Sequence, residues 1–145
     1  MYIKNNITSL IGRATYLPDG YSLPTQEEID TYLLAVAKKD KTSELSQSLT
    51  AFCEAGFSYS GNIFCLRNVQ HIFEAEESGE NKFHTSSSVE IDFVDASSFD
   101  SFKSVLLIEK NRIMKKYHTY KKQINDCATI EAINAIAIDL VSNDN

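Results

Sequence analysis

Residues 99–124 read FDSFKSVLLIEKNRIMKKYHTYKKQI, and the spacing of their apolar side chains decides the fold. Phe99, Phe102, Leu106, Ile113, Tyr117, Tyr120 and Ile124 step by 3, 4, 7, 4, 3 and 4. Such steps return to one face of a helix with about 3.6 residues per turn. The spacing predicts a helix of about 28 residues, roughly 40 Å long at a rise of about 1.5 Å per residue, with Asp95 or Ser97 capping its start. That is more than a globule of 145 residues needs. The helix is either a core spine or a coiled-coil-like seam. Glu109 at one seam position and the scarcity of Leu favour ordinary amphipathic packing.

The same stretch organises the charge. Between Lys103 and Lys122 there are seven basic residues and one acid, Glu109, giving +6, while the other residues carry seven basic against nineteen acidic, giving −12, for a net −6. An acidic chain is poorly suited to nonspecific nucleic-acid binding. The basic rod can be a solvated lysine-rich face, pair with the acidic body, stack head to tail, or meet a partner of opposite sign. Lys115, Lys116, Tyr117 and Tyr120 are its candidate contacts for an anionic partner, although both tyrosines also continue the apolar stripe.

Upstream, residues 56–72 read GFSYSGNIFCLRNVQHI. Gly56 ends the preceding helical pattern as a left-handed cap. Phe57, Tyr59, Ile63 and Phe64 bracket a Ser60-Gly61-Asn62 turn, and these strand-forming residues around a permissive Gly-Asn pair predict a tight hairpin. A short helix follows from Asn68 through Val69, Ile72 and Phe73, then an exposed loop at 76–81. Val89, Ile91 and Phe93 alternate with Glu90 and Asp92, the pattern of a half-buried strand. The hairpin plus this strand predict a small three-stranded antiparallel sheet with helices on one face. After the long helix, Thr129 opens a further short helix through Ile133, Ile136 and Ile138.

Nearer the start, Pro24 precedes Thr25 and Glu28, the spacing of a capping box. Ile29, Tyr32, Leu33 and Val36 then recur at helical spacing, as do Leu45, Leu49 and Phe52. The polar run Lys38-Lys39-Asp40-Lys41-Thr42-Ser43 predicts two helices, one to about residue 38 and one from about 43 to 55. Residues 1–23 hold Ile3, Ile7, Leu10 and Tyr16 before the turn tripeptide Pro18-Asp19-Gly20. They form an expected extended arm, apolar enough to dock on their own domain or a neighbour. The expected domains are this arm and a single α+β domain over 24–145. No secretory pattern and no span of about eighteen apolar residues is expected.

No reaction is legible. His71, His84 and His118 stand apart in no metal-binding frame, and Cys53, Cys65 and Cys127 sit in apolar contexts that fit reduced thiols. There is no nucleophile elbow, phosphate loop or dinucleotide motif. The carboxylate pairs Glu27-Glu28 and Glu76-Glu77 belong to a helix start and a loop, with no sign of the desolvated cleft that acid–base catalysis requires. The aromatics Phe57, Tyr59 and Phe64 are core residues in preference to base-stacking platforms, since only Arg67 accompanies them. The expectation is a non-enzyme with no cofactor and no metal.

Over residues 50–139 the chain resembles a domain of unknown function that recurs at the C-terminal ends of tailed-phage tail-fibre proteins and in short proteins encoded beside them. Gly56, Phe57, Tyr59, Gly61 and Phe64 match its hairpin, Phe99 and Phe102 the opening of its long helix, and Lys122, Ile124, Ala128, Thr129 and Ile133 its close. Arg67 and Asn68 stand where the family has an acid, and its Trp is missing. The resemblance implies a noncatalytic tail protein, a connector or fibre-associated module that binds other tail or tail-fibre proteins as an oligomer. It would fold in the host cytoplasm and then join the virion tail. A nonvirion assembly chaperone and an anion- or nucleic-acid-binding accessory protein using the basic helix are the alternatives. Leu106 and Ile113 complete the set of fold-defining residues.

Overall fold

The computed structural model describes residues 1–55, 57–59, 62–64, 82–84, 90–92 and 96–142. Its elements in chain order are β1 (Tyr2–Asn5), β2 (Ile11–Arg13), β3 (Tyr21–Ser22), α1 (Gln26–Ala55), β4 (Phe57–Tyr59), β5 (Asn62–Phe64), β6 (Lys82–His84), β7 (Glu90–Asp92), α2 (Ala96–Asp126) and α3 (Ile130–Asn134). The architecture is α+β: small antiparallel sheets with two long helices. The contacts divide the chain into two compact units, one of Met1–Ser43 with Gln123–Ala137, the other of Glu44–Lys122 with Ile138–Asn145.

In the first unit the three-stranded sheet runs in the order β2-β1-β3, all antiparallel. Ile3 faces Gly12, Lys4 faces Ile11 and Ser22, and Asn5 faces Tyr21. Asn5 sets the first turn: its Oδ1 accepts the N–H groups of Ile7 and Thr8 at 2.9 and 2.8 Å, and its own N–H donates to Leu10 O at 2.9 Å. A short polar side chain that bonds its own following backbone is the usual seed of such a turn. In the second turn Tyr21 N–H reaches Pro18 O at 3.2 Å, and Gly20 takes φ +82°, a conformation that favours glycine.

The sheet belongs with the start of α1. Thr25 Oγ1 accepts Glu28 N–H at 3.2 Å while Glu28 Oε2 accepts Thr25 N–H at 2.9 Å, so the capping box closes. Lys4 Nζ pairs with Glu28 Oε1, and the Tyr2 and Tyr32 rings meet edge to face at 6.1 Å. Across the unit, Lys38 Nζ donates to Asn125 O at 2.7 Å, and Ile3, Ile124 and Ile133 are buried. Thr129 caps α3 by accepting Ala132 N–H at 3.2 Å.

In the second unit Leu45, Phe99, Phe102, Leu106, Ile113 and Leu140 are buried, so the apolar stripe of α2 forms its core. Tyr117 and Tyr120 on that stripe are half-buried. The hairpin pairs Phe57 with Phe64, Ser58 with Ile63 and Tyr59 with Asn62. Asn62 is therefore a strand residue, with two residues left between the strands.

Two expectations require correction. The three-stranded sheet is built by residues 2–22, whereas the 57–64 hairpin and strand β7 lie in separate two-stranded ladders, β7 pairing with β6. Each strand pairs with one close by in sequence, and alternation alone does not name the partner. Residues 1–23 form short extended segments and turns, paired as that sheet within the first unit. Helix α1 runs unbroken for 30 residues through the polar run expected to interrupt it. No Pro or Gly lies in that run, and Thr42 Oγ1 bonds back to Lys38 O at 2.8 Å within the helix. Helix α2 has 31 residues, and the short helix expected from Thr129 follows it as α3. The expectations placed on Gly56, Gly61, Cys65, the 68–73 helix, the 76–81 loop, Asp95 and His71 fall outside the described residues.

Candidate docking surfaces

The apolar residues of the N-terminal sheet divide sharply. Ile3 points into its own unit and is buried, whereas Ile7 is 93% exposed, Leu10 71% and Tyr16 69%. Of the ten large apolar side chains exposed among the described residues, Met1, Ile7, Leu10, Tyr16, Leu17 and Leu23 all fall in the first 23 positions. Exposed apolar surface is therefore concentrated on the turns and flanks of one sheet. Those turns are tightly held: besides the bonds made by Asn5, Asn6 N–H donates to Gly20 O at 3.0 Å and Ser9 N–H to Asn5 O at 2.9 Å. A fixed backbone presenting Ile7 and Leu10 loses little conformational entropy on docking.

On α2 the expected contacts also separate. Lys115 is exposed, but Lys116 is only 9% exposed and turns to the chain's own C-terminal segment. Its ammonium donates to Asp139 O at 3.4 Å, to Ser142 O, and to Ser142 Oγ at 3.3 Å. The Tyr120 hydroxyl accepts Asp139 N–H at 3.2 Å and lies 3.4 Å from Asp139 O. Arg112 chelates Glu109 at 2.6 and 2.9 Å and extends to Ser142 O at 3.1 Å and Val141 O at 3.4 Å. Asp139 Oδ1 accepts the N–H groups of Val141 and Ser142 at 2.9 and 3.0 Å, folding the segment into a turn. Its carboxyl pKa is lowered to about 2, first by the Ser142 hydroxyl and then by the backbone N–H groups of Ser142 and Val141. Glu109 is held below its usual range chiefly by the Arg112 guanidinium.

Ile3 and Lys116 are thus internal fold contacts, a correction to their expected place on a partner surface. Tyr120 bonds the same C-terminal segment. Tyr117 stacks edge to face on His118 at 5.5 Å. Cys53 and Cys127 carry reduced thiols. Among the described residues, no cluster of His, Cys, Asp and Glu could hold a metal ion, and no helix is long and apolar enough to cross a membrane.

Two surfaces escaped the sequence reading. Val105, Leu107 and Ile108 are exposed on α2 beside the buried Leu106, a VLLI run in which the stripe accounts for one residue. The first unit also carries a groove of about 620 Å³ between α1 and the start of α3, rimmed by Glu27, Asp30 and Glu131 over Leu34, Ala128 and Ile130. Glu27, Asp30, Thr31 and Leu34 lie at helical spacing, and that stripe was its one sequence signal.

Compared with known proteins, the chain matches no family model, no curated protein and no solved structure.

Proposed function

We propose that the chain is a noncatalytic protein-binding component of a phage tail, a connector or fibre-associated module that docks on other tail proteins through the apolar turns of its N-terminal sheet. The observation that carries the docking reading is the exposure of Ile7 and Leu10 on a turn whose backbone is pinned by Asn5, with Tyr16 exposed on the stretch between β2 and β3. Contiguous exposed apolar surface marks interaction sites more often than it marks idle surface. Covering a side chain such as Ile7 or Leu10 contributes about 1.5–3 kcal/mol each. The tail setting is supported by the hairpin and helix residues Phe57, Tyr59, Phe64, Phe99 and Phe102, through their resemblance to the tail-fibre-associated domain. In this reading the protein folds in the host cytoplasm and is then carried into the virion tail.

Particles of the phage that encodes the chain, purified and analysed by mass spectrometry, test the proposal. The protein is expected in the particles, and Ile7→Asp with Leu10→Asp is expected to remove it from them without changing its far-ultraviolet circular dichroism. Its presence in lysates alone would favour the assembly-chaperone alternative. Unchanged incorporation of the double variant would refute docking through the sheet turns.

A further inference from the structure

Three exposed carboxylates of the first unit and three exposed lysines on the α2 stretch of the second form no ion pair among the described residues. On the groove of the first unit, Glu27, Asp30 and Glu131 are exposed. Among the described residues none of the three forms an ion pair, and Asp30 accepts only the neutral amide of Gln26, at 2.8 Å. The floor between them is apolar, with Leu34 and Ile130 half-buried. This arrangement suits a cationic side chain whose methylene stem lies along the floor while its ammonium reaches the rim.

The complement is on α2. Three of its basic residues are engaged internally: Lys103 with Asp100 at 2.7 Å, Arg112 with Glu109, and Lys116 with the C-terminal segment. Lys110, Lys115 and Lys121 are exposed and form no ion pair among the described residues. Lys110 and Lys121 are eleven positions apart, close to three turns, so they lie on nearly the same side of the helix roughly 16 Å apart.

We propose that the carboxylate-rimmed groove of the first unit receives the lysine-bearing side of α2 from a second copy of this chain. The charge balance selects that occupant. The groove offers three exposed carboxylates and one side of α2 two exposed lysines, so every copy brings both complements at equal concentration. The contact is heterologous, groove to helix, and can repeat from copy to copy. Ion pairs between exposed groups are individually weak and screened by salt, so the association is reversible and salt-sensitive. It uses neither Ile7 nor Leu10 and stands apart from docking through the sheet turns.

Static light scattering of the full chain over a range of concentrations, in about 20 mM and about 500 mM salt, tests the proposal, because screening shortens from tens of ångströms to a few over that range. The expected mass rises with concentration at low salt and falls to that of one chain at high salt. The neutral set Glu27→Gln, Asp30→Asn and Glu131→Gln is expected to hold the chain at single-copy mass with unchanged circular dichroism. So is the pair Lys110→Gln and Lys121→Gln. Each charge-reversed set, Glu27→Lys, Asp30→Lys and Glu131→Lys or Lys110→Glu and Lys121→Glu, is expected to be single alone. An equimolar mixture of the two reversed chains is expected to regain association, with the two chains in equal numbers. Single-copy mass for the unaltered chain at every concentration in low salt overturns the proposal. So does association that survives the neutral groove set, or that is abolished instead by Ile7→Asp and Leu10→Asp.

Discussion

The Lys116 ammonium on α2 donates to both the backbone carbonyl and the hydroxyl of Ser142, 26 residues further along the chain. Lysine is seldom this well buried, and here the charge is satisfied by carbonyl and hydroxyl oxygens of one short segment. The contact closes the second unit with its own C-terminal residues, and Leu140 is buried beside it in sequence. Replacing Lys116 by Ala removes charge-assisted hydrogen bonds worth about 1.5–3 kcal/mol each before compensation, so a net loss of about 1–3 kcal/mol is expected. Urea denaturation of the two proteins measures it, and an unchanged midpoint would mean that the segment adds nothing to folding.

Asp139 makes the same segment sensitive to acid. Its folded pKa, about 2, lies below its ordinary value of 3.8. A depressed carboxylate contributes stability that is fully present above the unfolded pKa and is lost as pH falls through the folded one. The thermal midpoint is therefore expected to fall between about pH 4 and pH 2, with Glu28 and Glu109, both lowered, adding to the loss. Asp139→Asn keeps an oxygen acceptor but cannot titrate, so its midpoint should fall less steeply over that window. Parallel pH profiles for the two proteins would show that Asp139 is not involved.

Leu106 and Ile113 test the α2 stripe, because both are buried within the second unit. Leu106→Ala is expected to cost about 2–5 kcal/mol through lost burial and the cavity left behind. Asp at either position is expected to abolish cooperative unfolding, since it places a charge where no partner awaits. A soluble Leu106→Asp protein with unaltered stability would show that this side of the helix is not a core.

Two glycines separate backbone from space. An added Cβ meets nothing within 4 Å at either Gly12 or Gly20, but only Gly20 has a positive φ, +82°. Gly20→Ala is therefore expected to lose about 1–2 kcal/mol by forcing a side chain into the left-handed region. Gly12→Ala, in strand β2, should be close to neutral. Equal effects in a thermal melt would remove conformational strain as the explanation.

What could be read from residue order alone is what depends on neighbours three or four positions apart. The steps from Phe99 to Ile124 placed α2 and its buried side, and Thr25 with Glu28 placed the start of α1, because helical periodicity and capping are local. The hairpin at 57–64 was legible for the same reason. The polar run at 38–43 misled, since a charged surface turn and an interruption have the same composition, and only the absence of Pro and Gly told against a break.

Tertiary structure decided the rest. Alternation does not say which strands share a sheet: the three-stranded sheet lies at residues 2–22, while the later hairpin and β7 stand in separate two-stranded ladders. The direction of Lys116, next to the exposed Lys115 in a lysine-rich run, was set by carbonyls 23 and 26 positions away. The groove rimmed by Glu27, Asp30 and Glu131 exists only where α1 meets the start of α3. Periodicity fixes which side of an element turns inward, but the group it meets there is chosen by chain closure over long separations.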